Sequence, residues 1–317
     1  MKPDRRLFYI FTRTPLHIGA GASVGAIDQP IVRERHTGFP IIPAASLKGT
    51  FSDCWNERRK TKTTKNGHEI ETEVIERSEE GRWLFGEADA ANAAAGALQF
   101  TEARLLAFPV RSARGSFAWI TCPLILARAM RDGVFNDHTA KIIGELKEPP
   151  DEHAIFTAGK IDLELRQGNT PLKQVVLEEY TFTKTGAEEA HEIGKALAAL
   201  ADDDPVWAET SQRLVILSNG MMSFFTRNAC EVAQHVRIND ETNTAARGAL
   251  FNQENVPSET MFYAIVHAFH GRGRFQTKTP VEALQAFAEK LHAQQHLFQF
   301  GADASTGLGY CTVKLAK

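Results

Sequence analysis

Cysteine is scarce in this chain. The four at 54, 122, 230 and 311 are far apart, with no CxxC pair and no histidine at zinc-ligand spacing. That argues against a disulfide framework or a zinc site and reads as reduced, buried thiols. Long apolar runs are missing as well. Nothing approaches the roughly 20 residues that cross a bilayer, and the amino terminus MKPDRRLFYIFTRTP has neither the apolar stretch nor the small-residue cleavage site of a signal peptide. The expectation is a cytoplasmic protein with no membrane contact. Nor is there an excess of positive charge: 36 Lys/Arg stand against 39 Asp/Glu, a net charge of −3. That balance argues against indiscriminate binding to nucleic acid.

What is present is enough for a sizeable core: 43% of the 317 residues are apolar, consistent with one large domain or two modest ones. Charge is unevenly spread. Residues 1–65 hold 12 Lys/Arg against 5 Asp/Glu, and the remainder holds 24 against 34. The amino-terminal fifth is therefore a cationic island on an acidic body, which reads either as solvated surface or as a local anion-binding strip.

RLFYIFTRT (6–14), rich in aromatic and β-branched residues and ended by Pro15, reads as a strand buried on both faces. The following TPLHIGAGASVGAIDQP (14–30) loosely imitates a dinucleotide-binding glycine loop. Such a loop must open a helix, and here the chain runs on into IDQPIVRER, so that reading fails. IIPAASLKGTFSDCW predicts a short strand and then a helix with Ser46 at its N-cap, Lys48 in the first turn, and Leu47, Phe51, Cys54 and Trp55 facing the core. Lys48 is then either a phosphate contact at a helix start or a solvated lysine. The polar stretch 57–82 reads as a flexible insertion, and residues 83–123 as strand-like runs around a small-residue loop at 89–96. A helix over 186–201 aligns Ala190, Ile193, Leu197 and Leu200. Another opens at Thr279 with Pro280 and Glu282 in a capping box, its core stripe being Val281, Leu284, Ala288 and Leu291. Residues 230–260 have strand-like ends around an Asn-Asp-Glu-Thr-Asn tip, either a projecting hairpin or a surface loop. No internal repeat is present. The fold class is α+β: an antiparallel sheet with helices on one face and large insertions.

The segments that carry chemistry are GAIDQPIVRERHTGFPIIPAASLKG (25–49), TPLHIGAG (14–21) and GADASTGLGY (301–310). On these the chain resembles the RAMP superfamily, and most closely the repeated backbone subunits of the type III-B CRISPR effector, the Cmr complex. Further blocks follow in the family's order: LFG (84–86), AGALQFTEARLLAFPVRSARGSF (95–117), LEEYTF (177–182), INDETNTAARGALF (238–251) and VPSETMFY (256–263). The resemblance implies a single RAMP domain over 1–317, with an RRM-like, ferredoxin-type palm, a fingers insertion and a thumb β-hairpin within 230–260. It implies copies stacked along a guide crRNA beside other Cmr subunits, and target RNA cut at regular intervals. One basic strip per subunit suffices to line such a groove, so a net negative chain is no obstacle. The type III-A backbone subunit and a non-catalytic guide-binding scaffold are the alternatives.

By the same resemblance Asp28 matches the catalytic aspartate. Its own surroundings agree, since no Lys or Arg lies within four residues of it. An aspartate so placed can hold Mg²⁺ (or Mn²⁺) or accept the proton of a ribose 2′-OH; the plain reading is an Asx turn. His17 is a second catalytic candidate, or a structural histidine. Candidate RNA ligands are Ser46, Lys48, Arg33, Arg35, Gly19, Gly21 and Gly307. Gly301 and Gly309, with Gly307, could admit a phosphate against the backbone or simply shape turns. The chain departs from the family's pattern at NQENVP (252–257), which supplies Glu254 without an aromatic residue.

Overall fold

A computed structural model describes residues 4–21, 23, 25–65, 68–87, 93–157, 161–201, 204–239, 241–242 and 244–316. Along the chain, β1 (Asp4–Thr12) leads through a long loop to α1 (Ala44–Asp53) and a hairpin of β2 (Asn56–Lys65) and β3 (His68–Arg77). After α2 (Glu79–Phe85) come β4 (Ala103–Arg111), β5 (Phe117–Thr121), α3 (Pro123–Arg131), α4 (Glu188–Ala199) and α5 (Asn219–Asn228). A second hairpin, β6 (Glu231–Asn239) and β7 (Thr244–Asn255), precedes β8 (Met261–Ala268), α6 (Pro280–Ala293) and β9 (Tyr310–Leu315).

β1 is central because its residues are apolar on both sides. Phe8 and Ile10 enter one core cluster and Tyr9 and Phe11 the other, all at most 5% exposed, as the period of two demands. β1 pairs antiparallel with β8 (Tyr9 opposite Tyr263) and β9 (Ile10 opposite Val313), and β8 with β4, giving the order β4-β8-β1-β9. The sheet continues beyond β4 through β5 to Leu214–Ile216, His153–Phe156 and Tyr180–Gly186. Two expectations are corrected here. The sheet is mixed, because β5 and Leu214–Ile216 run parallel, as do His153–Phe156 and Tyr180–Gly186. Both faces carry helices: α1, α5 and α6 bury Phe51, Phe225 and Phe287 on one side, and α4 buries Ile193 and Leu197 on the other.

Local departures have local causes. α1 begins at Ala44 with Pro43 as its N-cap, so Ser46 lies inside the first turn and Lys48 in the second; proline, lacking an N–H, loses nothing at that position. The stretch 57–82 contains the β2–β3 hairpin, paired from Asn56 opposite Arg77 to Lys65 opposite His68, followed by the start of α2. Its polarity fits a two-stranded ribbon outside the main sheet. Trp83, Leu84 and Phe85 are helical rather than strand-like, because Ser78 caps α2 by accepting the Gly81 N–H and two glutamates follow it. The capping box at Thr279 is present, but α6 turns Ala283, Phe287 and Leu291 inward and leaves Val281 64% exposed. Within 230–260, Glu231–Asn239 and Thr244–Asn255 pair as the β6–β7 hairpin, a two-stranded sheet of its own. Among the described residues no helix is long and apolar enough to cross a membrane.

The α1–α6 side of the core is organised by Phe51, whose ring meets Phe8, Phe100, Phe287, Phe298 and Phe300 at centroid distances of 5.0 to 5.8 Å. Phe51→Ala leaves a void that five rings cannot all collapse into. Urea denaturation should show a loss of about 3–5 kcal/mol. A loss under ~1 kcal/mol would mean the cluster is not the keystone of that face.

Candidate functional site

The loop between β1 and α1 folds back on itself. The Ala20 N–H donates to the Pro30 carbonyl and the Val32 N–H to the Ile18 carbonyl, both at 2.8 Å. Asp28, exposed, lies in the segment these bonds enclose. The root of β7 then holds the loop from the side. Leu16 and Val256 exchange both backbone hydrogen bonds at 2.9 Å, the Gln29 N–H donates to the Asn252 carbonyl (3.1 Å), and the Glu254 N–H donates to the Gln29 carbonyl (2.9 Å).

Three successive side chains on β7 fasten three different segments. The Asn252 Oδ1 accepts the Asp28 N–H at 2.7 Å, its backbone N–H donates to Asp28 Oδ2 at 2.9 Å, and its Nδ2 donates to the Ala26 carbonyl at 3.0 Å. Gln253, 1% exposed, donates to Asp303 Oδ2 at 2.7 Å and so fixes the carboxy-terminal loop. Glu254, 3% exposed, pairs through Oε1 with Arg33 Nη2 and accepts the Ile31 N–H on Oε2 at 3.1 Å. The Arg33 guanidinium also donates to the carbonyls of Gly38 (2.8 Å) and Thr226 (2.7 Å) and to Cys230 Sγ (3.3 Å). Burial pushes the Cys230 thiol up to about 12, so it stays protonated beside that charge.

These contacts sort the sequence-predicted residues. Asp28 keeps an exposed carboxylate with one oxygen committed to Asn252 and the other, Oδ1, without a partner among the described residues. His17 is buried, 4% exposed, and donates from Nδ1 to the Glu254 carbonyl at 2.7 Å, so here it braces the loop rather than facing a substrate. Gly19 leaves room for that ring: a Cβ there would stand 3.1 Å from His17 Nε2. Arg33 faces inward with both terminal nitrogens taken up by protein partners. Arg35 is exposed on the turn beyond and has no acidic partner among the described residues. Ser46 is half-buried and Lys48 exposed on α1.

Gly21 and Gly307 have positive φ and open space around them. Gly301 and Gly309 are committed to packing, since a Cβ would come 2.0 Å from the His17 carbonyl oxygen and 1.9 Å from that of Phe300. Two residues were missed by sequence reading. Asn252 contacts Asp28 across 224 positions of chain, beyond any local pattern. Arg227, on α5, lines the same groove as Ile27 and Arg35; its helical spacing from Phe224 hinted only at an exposed face.

Among the described residues no group of three or more His, Cys, Asp or Glu side chains is gathered to hold a metal. The donor set suits a hard cation only as a shared ligand. Asp28 offers one carboxylate oxygen that has no partner among the described residues, and Mg²⁺ commonly takes one or two carboxylates with its other positions filled by water and phosphate oxygens.

A family model described as the RAMP superfamily matches residues 10–312. A curated relative from Pyrococcus furiosus, named CRISPR system Cmr endoribonuclease Cmr4, is 31% identical over 264 residues, 81% of this chain and 79% of the relative. The crystal structure of oligomeric Cmr4 from Pyrococcus furiosus superposes with a TM-score of 0.63 at 24% identity, covering 99% of both chains. A chain of the type III-B Cmr-beta complex bound to cognate target RNA superposes with a TM-score of 0.67 at 17% identity, covering 98% of this chain and 97% of that one.

The Arg33–Glu254 pair tests how the loop is held. Arg33→Ala leaves a carboxylate buried and uncompensated, and should cost about 3–5 kcal/mol in denaturant-induced unfolding. The double variant Arg33→Met/Glu254→Leu should be less destabilised than Arg33→Ala alone. A double-variant loss equal to the sum of the Arg33→Met and Glu254→Leu losses would show that the pair contributes little beyond its separate residues.

Proposed function

The chain belongs to the RAMP superfamily, and from that membership we propose that it is the repeated backbone subunit of a type III-B CRISPR ribonucleoprotein. In this reading it binds guide crRNA beside further copies of itself and other Cmr subunits, and cuts the paired target RNA at Asp28. The observation that carries the proposal is the state of that carboxylate. It is exposed, clamped by Asn252 from the root of the β6–β7 hairpin, and left with one oxygen that has no partner among the described residues.

The palm is read in β1, α1, β4, β8, α6 and β9. Their chain order is β-α-β-β-α-β and their sheet order is β4-β8-β1-β9, the arrangement of a ferredoxin-type unit with insertions. The thumb is read in β6–β7. Val232 (53% exposed), Val236 (49%), Ile238 (49%) and Leu250 (68%) alternate onto the hairpin face that also carries Asn252. Apolar side chains of this kind wedge between base steps when an arm enters a nucleic acid. The wedge therefore stands on the same strand that positions the cutting residue. Ser46 and Lys48 on α1, with the open glycines Gly21 and Gly307, remain the candidates for guide contact.

Asp28 accepts the proton of the 2′-OH of the target nucleotide presented to it. The 2′-oxygen forms a bond to the adjacent phosphorus as the bond to the 5′-oxygen breaks, and that oxygen takes a proton from water. The products are a 2′,3′-cyclic phosphate and a 5′-OH. Asp28 would hold a Mg²⁺ or Mn²⁺ ion, which when bound would supply charge neutralisation. Asn252 keeps the carboxylate aimed, and His17 keeps the loop from shifting under it.

Asp28→Asn retains an oxygen able to accept the Asn252 N–H, so the loop should persist while the base is lost. In the guide-loaded complex, cleavage of matched RNA should fall by about 10²–10⁴-fold with assembly and target binding intact. Undiminished cutting would remove Asp28 from the mechanism. EDTA should arrest cutting by the unaltered complex; activity that persists in EDTA would overturn the shared-cation reading.

A further inference from the structure

A trough runs from the Asp28 loop towards the carboxy-terminal end of α3. One cavity of about 690 Å³ opens at Ile27 and Pro30, which flank Asp28, and is lined further on by Arg35, Gly38 and Arg227. A second, of about 470 Å³, shares Arg33, Glu34 and Arg35 with it and is lined by His36, Arg104, Arg128 and Arg131. Most of these cations have acidic partners. Arg33 is paired with Glu254, Arg128 with Glu34 (2.8 Å), Arg104 with Glu102 (3.3 Å) and Asp132 (3.5 Å), and Arg131 with Asp132 (3.6 Å). His36 Nε2 accepts from Arg128 at 2.9 Å.

Arg35 and Arg227 are different. Both are exposed, neither has an acidic partner among the described residues, and they stand in the cavity nearest Asp28. They come from separate elements, the turn after the Asp28 loop and the last turn of α5. Gly38 keeps them in one cavity: a Cβ at that position would lie 2.1 Å from Arg227 Nε. A chain with net charge −3 thus keeps two uncompensated guanidinium groups in one concavity, where planar forks suit phosphate oxygens.

We propose that Arg35 and Arg227 hold backbone phosphates of the target strand immediately beside the scissile bond. This rests on the reading of Asp28 as the cutting residue. The assignment to the target strand, not the guide, follows from position. The cavity begins at the residues on either side of Asp28, so a strand presented to that carboxylate continues into the trough, whereas the guide candidates Ser46 and Lys48 lie on α1. Gripping the strand on one flank fixes the scissile phosphate against the carboxylate, so that pairing with the guide is not the sole restraint on the cut strand.

The test uses guide-loaded complex carrying Asp28→Asn, which is first shown not to cut. If it cuts, the functional reading fails before the arginines are tested. Target affinity is then measured across salt concentrations with and without Arg35→Ala/Arg227→Ala. The expected result is target binding weakened tenfold or more, with guide loading and subunit number unchanged. The slope of log K against log salt should flatten by about 1.4, the release expected for two single-strand phosphate contacts. Lysine at both positions should restore most of the slope. Arg35→Glu, a single exposed change, should weaken target binding further and serves if the double variant folds poorly. Unchanged target affinity overturns the proposal. So does a parallel loss of guide loading, which would place the guide in the trough, or a loss of subunits per guide, which would make it a contact between copies.

Discussion

The buried carboxylate of Glu254 is the constraint on which the site's geometry depends. An ionised side chain 3% exposed is tolerated only when it is paired and its remaining lone pairs are satisfied. Arg33 and the Ile31 N–H meet that demand. Each drags a segment with it: Ile31 brings the end of the Asp28 loop, and Arg33 brings the carbonyls of Gly38 and Thr226, hence the turn before α1 and the end of α5. An apolar pair of similar size would fill the space without specifying these three partners. The charge costs solvation and returns a single arrangement of loops.

Much of the fold was legible in the sequence because it rests on period and caps. β1 could be read from unbroken aromatic and β-branched residues, α4 from Ala190, Ile193 and Leu197 at helical spacing, and α6 from the Thr279–Glu282 capping box. Where reading failed, a non-local partner had decided. Val281 belongs to the apolar pattern of α6 but loses its place because Phe287 must reach Phe51, turning the helix. Parallel pairing in the outer half of the sheet depends on which strands meet, and nothing in either strand alone reports that.

The site divides in the same way. Asp28 stands out through a family-specific loop, while its controlling neighbour Asn252 lies 224 positions further along the chain and has no motif of its own. Arg33 and Arg35, two positions apart and alike in sequence, are separated by burial: one satisfies Glu254 and the other faces solvent. The cationic island of residues 1–65 is likewise not one strip. Arg58 and Arg59 stand on the β2–β3 hairpin near Glu73 and Glu57, whereas the trough draws Arg104, Arg128, Arg131 and Arg227 from the acidic body. Charge along a chain and charge across a surface are different quantities.

The β6–β7 hairpin is a two-stranded sheet separate from the main one, and at its root Asn252, Gln253 and Glu254 engage the loop around Asp28 and the carboxy-terminal loop. A strand is stiff along its axis, and among the described residues eight register pairs tie β7 to β6. The arm is therefore a lever with its fulcrum at the carboxylate. Torque applied at its apolar end by whatever lies against Val236 and Leu250 arrives at residue 252, two positions beyond Leu250 on the same strand. The place where the arm rests and the residue that clamps Asp28 share one strand, so in the proposed stack of copies the spacing of the arms would set the spacing of the carboxylates.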